Sequence, residues 1–127
     1  MTATGEGAIR AWLDDVWGRA EAAALLAGGD TAEPLARREV LAEVYDPAAL
    51  AALRRLTTEG VFASDICRCP GGATLVLLDV DGEFIARASL HGPDTIAWER
   101  ARFRNNLDLA DPDGLRRRLE RIGVRSV

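Results

Sequence analysis

The sequence predicts a single α+β domain: a mostly antiparallel sheet, built as a β-meander with one extra N-terminal strand, packed against N-terminal, middle and C-terminal helices. Three features carry that expectation. The first residues bear a helical apolar stripe, the apolar period shortens to two after Gly60, and two Asp-Pro steps stand where helices would start. A chain of 127 residues is the size of one domain. At that length roughly two-thirds of the unfolded surface becomes buried, so folding needs no disulfide or metal staple.

The first element is expected as a helix within residues 1–29. Ile9, Trp12, Leu13, Val16, Trp17 and Ala20 recur at helical spacing, Ala22 to Ala24 extend the propensity, and Gly28-Gly29 stops it. Trp12 and Trp17 stand roughly 140° apart at about 100° per residue. One of them then extends the edge of the core stripe or meets a second subunit, with core packing the expected account.

Residues 39–98 are expected to hold the sheet with one inserted helix. Glu39 to Tyr45 reads as a strand with Val40, Ala42 and Val44 on one face. Asp46-Pro47 opens a short helix with a Leu50, Leu53, Leu56 stripe, closed by Gly60. Four strands follow, Val61–Cys67, Ala73–Val80, Glu83–Leu90 and Thr95–Trp98, with turns at Pro70-Gly71-Gly72, Asp81-Gly82 and His91-Gly92-Pro93-Asp94. Phe84, Ala86, Ala88 and Leu90 are expected to share the helix-facing side. Arg100 to Arg104 reads as an edge strand or extended loop, and residues 111–123 as a C-terminal helix opened by Asp111-Pro112 with Leu115, Leu119 and Ile122 inward.

Composition narrows the function classes. The net charge of −4 divides unevenly: residues 1–60 hold ten acids and six Arg, residues 61–99 six acids and two Arg, and residues 100–127 four acids and eight Arg. An acidic surface disfavours nucleic acid as a partner. Lys and Gln are absent, a bias matching a GC-rich bacterial genome and carrying no function. No basic leader or long apolar run appears, and two cysteines one residue apart make no secreted framework, so a cytoplasmic protein with no membrane partner is expected.

The sharpest local feature is Cys67-Arg68-Cys69-Pro70. Residues i and i+2 of a strand share a face, so two thiolates could converge on a soft metal, with His91 as third ligand and Asp65 or Asp94 as fourth; zinc is the ion such a set would take. The spacing departs from the Cys-x-x-Cys knuckle, and buried inert thiols are the stronger account. No Gly-x-Ser-x-Gly elbow, Walker loop or second histidine supports hydrolytic or phosphoryl-transfer chemistry. Arg116, Arg117 and Arg121 of the final helix are the candidate partner-binding residues, set against the reading that they are a solvated face complementing the helix dipole.

The segments Ile66 to Gly71, Leu90-His91-Gly92, Ile96-Ala97-Trp98 and Leu109 to Pro112 resemble a group of small bacterial proteins, chiefly actinobacterial, with no assigned activity. The likeness spans roughly residues 61–123. It implies that Cys67, Cys69, His91 and Trp98 share one corner of the sheet. The sequence as a whole leads to a non-catalytic protein-interaction module, an adaptor, inhibitor or immunity-type protein whose partner is another protein, a second copy included. The alternative is a metal- or thiol-dependent enzyme or sensor using Cys67, Cys69 and His91.

Overall fold

The computed structural model describes residues 5–29, 33–63, 71–104 and 106–124. Its elements run α1 (Glu6–Arg19), β1 (Ala22–Ala27), a 3-10 turn (Leu35–Arg37), β2 (Val40–Val44), α2 (Pro47–Thr58), β3 (Gly60–Ala63), β4 (Ala73–Leu78), β5 (Phe84–His91), β6 (Thr95–Trp98), α3 (Arg100–Phe103), β7 (Asn106–Leu109) and α4 (Pro112–Arg121). Among the described residues the strands form one seven-stranded sheet in the order β2-β1-β4-β5-β6-β7-β3. Every pairing is antiparallel. The α+β class and antiparallel sheet expected from the sequence are both present. No helix of the described residues is long and apolar enough to cross a membrane.

The helices cover one face. α1 buries Ile9, Leu13, Val16 and Trp17, and α2 and α4 add Leu53, Leu56, Leu115 and Leu119 to the same core. Both Asp-Pro starts act as read: Asp46 accepts from the Ala49 N–H at 2.9 Å and Asp111 from the Gly114 N–H at 2.9 Å. Trp98 lies at the centre, fully buried, with its indole N–H donating to the Thr57 carbonyl at 3.0 Å. Trp12 and Trp17 flank it edge-on, at 6.2 and 6.0 Å between ring centroids. The two α1 tryptophans therefore fit one core because a third ring separates them.

Three elements differ from the sequence expectation. Helix α1 stops at Arg19, and Ala22–Ala27 is a strand. Five of its six residues are buried, because helices cover one face and residues 33–38 the other. An apolar run with no polar stripe suits a strand covered on both sides, and that context outweighs alanine's weak helix preference.

The Pro70-Gly71-Gly72 segment does not join neighbouring strands. β3 pairs with β7 at the far edge, while β4 lies between β1 and β5. The meander is therefore β4-β5-β6-β7, and its last strand, Asn106–Leu109, follows a helical turn at Arg100–Phe103 where an extended segment was expected.

Bulges supply the third difference. The register shifts between Leu77 and Leu78 opposite β5, and between Leu25 and Leu26 opposite β2. An extra residue reverses facing beyond it. Phe84 and Val40 thus leave the side held by Ala86 and Val44 and stand 48% and 52% exposed.

Candidate functional site

The face of the sheet away from the helices is only partly covered. Residues 33–38 cross it as a strap: Leu35 packs on Ala24, Leu26 and Val76. Arg38 fastens the strap, buried, with Nη1 donating to the Gly29 carbonyl and to Thr74 Oγ1 at 2.7 Å each, and Nε donating to the Glu33 carbonyl at 3.1 Å. A buried guanidinium keeps its charge only where such acceptors replace water, so the strap is fixed in place.

Beside the strap the face is open. A cavity of about 460 Å³ is walled by Leu26, Leu35, Val40, Leu78 and Phe84, with Tyr45 and Val80 at its mouth. Val40, Tyr45, Val80 and Phe84 are exposed at 52, 62, 79 and 48%. Isolated exposed apolar residues need no explanation, but a contiguous group around a hollow does. The charged members of the wall are Glu21, Glu43 and Asp79, with Arg38 turned into its carbonyl cradle. The Tyr45 phenol is held above its ordinary pKa, first by its hydrogen bond to Glu43, then by desolvation and by the Glu43 charge. A second hollow of about 290 Å³, lined by Trp17, Pro47, Leu50 and Arg54, shares Glu21 and Tyr45 with the first.

Of the metal candidates, Cys67 and Cys69 lie outside the described residues, as does Asp65. His91 pairs with Thr95 at the end of β5. Its ring lies against Gly71: a Cβ built there would sit 3.5 Å from His91 Cε1 and 2.6 Å from the Leu90 carbonyl oxygen, so glycine is what permits this approach. Among the described residues no group of three or more His, Cys, Asp and Glu side chains assembles as a metal set. Trp98 does not share a corner with His91. It pairs with Ala88 on the helix-covered side, whereas His91 alternates with buried Leu90 and belongs to the opposite face.

The arginines of the final helix divide. Arg116 pairs with Asp113 at 3.0 Å. Arg117 and Arg121 turn instead, with Arg118, into a groove between α2 and α4 that Arg55 of α2 also lines. Nothing in the sequence singles out Arg55, since only the packing of α2 on α4 brings it there. Nor does the sequence mark Val80 and Phe84 as exposed, since their exposure depends on where strand facing reverses. No known protein family, curated protein or solved structure matches this chain.

Proposed function

We propose that the chain is a non-catalytic protein-interaction module that takes a partner segment on the open face of its sheet. The observation that carries this reading is the group Val40, Tyr45, Val80 and Phe84, exposed around one 460 Å³ hollow. Glu21, Glu43 and Asp79 on the walls select the partner's chemistry: a segment with apolar side chains to fill the hollow and Lys or Arg beside them. Burying an apolar side chain such as Phe84 contributes about 1.5–3 kcal/mol, which makes such residues natural anchors.

The test uses two peptide series, apolar residues alternating with Lys and the same residues alternating with Glu, followed by fluorescence anisotropy. The Lys series binds wild-type protein, weakens with salt, and loses about tenfold or more of its affinity to Phe84→Asp and Val80→Asp variants of unchanged circular dichroism. Equal binding of both series, or unchanged affinity in the variants, refutes the reading.

A second reading, a metal- or thiol-dependent enzyme or sensor using Cys67, Cys69 and His91 with zinc, draws support from the packing of His91 against Gly71, two residues beyond Cys69 in the chain. Native mass spectrometry without chelator tests it. A stoichiometric zinc mass that Cys67→Ser removes favours it, and a metal-free mass with two free thiols rejects it.

A further inference from the structure

The groove between α2 and α4 is lined mainly by guanidinium groups. Arg55, Arg117, Arg118 and Arg121 line it, with Leu56, Gly114 and one carboxylate, Asp111. Elsewhere four arginines pair with acids, Arg10 with Glu6 at 2.9 Å and Arg19 with Asp15, Arg54 with Asp14 and Arg116 with Asp113 at 3.0 Å each, while Arg37, Arg87, Arg102 and Arg104 stand singly with no ion pair among the described residues. Among the described residues no ion pair engages any of the four groove arginines. Asp111 already accepts the Gly114 N–H with Oδ1 at 2.9 Å, as the cap of α4. In a chain with twenty acids against sixteen arginines, four guanidinium groups are gathered about one committed carboxylate.

Complementing a helix dipole explains Arg118 and Arg121 in the last turn of α4, and Arg55 in the last turn of α2, each taken singly. It does not require the two helices to aim their arginines into a common groove, where like charges repel. Repulsion of that kind is relieved by an anion. The groove holds about 180 Å³, room for a compact group and not for a strand of nucleic acid. Planar guanidinium forks pair two at a time with oxyanions, and a phosphoryl group offers several terminal oxygens and more than one negative charge on a single centre.

We propose that this groove is a binding site for a compact phosphoryl group, held by Arg55, Arg117, Arg118 and Arg121. The group belongs either to a free phosphorylated small molecule or to a phosphorylated side chain of a partner; the chemistry of recognition is the same. The site is separate from the open sheet face and stands whether or not that face binds a segment.

Isothermal titration calorimetry of the whole chain tests the proposal at constant ionic strength. Inorganic pyrophosphate, a phosphoserine peptide and citrate are the titrants, with sodium chloride as the blank. Saturable binding of pyrophosphate or of the phosphopeptide is expected, and whichever binds more tightly identifies the source. Each removed charge-assisted contact weakens binding roughly tenfold or more, so Arg55→Ala/Arg121→Ala abolishes measurable heat while Arg116→Ala retains it. Circular dichroism and thermal melting of the variants establish that they are folded. No heat above the chloride blank, equal binding of citrate, or binding that survives Arg55→Ala/Arg121→Ala each overturns the proposal.

Discussion

The cap of α4 offers a sharp test of local physics, because a glycine and an aspartate there depend on each other. Gly114 is the third residue of the helix, where replacing glycine by alanine ordinarily stabilises by about 0.5–1 kcal/mol through lower backbone entropy and better helix propensity. Here the new Cβ meets the Asp111 carboxylate: it would lie 2.7 Å from Cγ and 3.0 Å from Oδ1, and closer still to Oδ2. A real Cβ cannot stand that near, so the carboxylate swings away and the Gly114 N–H loses its acceptor. That loss costs about 1 kcal/mol, the usual worth of an Asp N-cap, and it bounds the damage because the side chain is free to move outward. Gly114→Ala alone therefore changes stability by close to zero or slightly destabilises. In an Asp111→Ala background the clash is gone, and the same substitution stabilises by about 0.5–1 kcal/mol. The coupling across the double-mutant cycle is about 1 kcal/mol, about 4 °C in melting temperature for a domain of this size. Urea unfolding followed by tryptophan fluorescence measures all four proteins. If Gly114→Ala stabilises wild type and the Asp111→Ala variant equally, the reasoning is wrong.

Two further outcomes follow from the core and from the open face. Trp98→Phe removes the donor to the Thr57 carbonyl and part of the ring between Trp12 and Trp17; it destabilises by about 2–4 kcal/mol in urea unfolding, whereas Trp12→Phe, at a partly buried position whose indole makes no hydrogen bond among the described residues, costs less. Tyr45 is the sole tyrosine, so ultraviolet difference titration reads it alone. Its hydrogen bond to Glu43 keeps the neutral phenol favoured in the fold. The associated stability is present below the ordinary tyrosine pKa and is lost as pH rises through the raised one. Glu43→Gln brings the midpoint down toward the ordinary value, and an unmoved midpoint refutes the assignment.

Much of the fold was legible because local signals agreed with the tertiary outcome. The stripe Ile9, Leu13, Val16 and Trp17 is buried as its spacing implies, and both Asp-Pro starts cap helices. The alternation Ala86, Ala88, Leu90 and Ile96, Trp98 gives the inward faces of two meander strands. Ala22–Ala27 misled because alanine suits a helix in isolation and a crowded strand in context. Asn106–Leu109 did carry a two-residue period, with Leu107 and Leu109 inward, but at four residues the signal is too short to stand without its partners.

The candidate sites were less legible than the fold. Arg117 and Arg121 could be named from the last helix, whereas Arg55 joins them only through the packing of α2 on α4. Alternation places Phe84 inward only when it runs unbroken through a position where the register in fact shifts. Sequence by itself determined the α+β class, the helix caps, the inward stripes and the uneven charge, since each depends on residues within a few positions of one another. Tertiary structure alone decided that β3 pairs with β7, that the strap covers part of one sheet face, and that four arginines share a groove. Those arrangements depend on contacts between residues far apart in the chain, and the side chains that meet there carry no mark of their partners until the backbone brings them together.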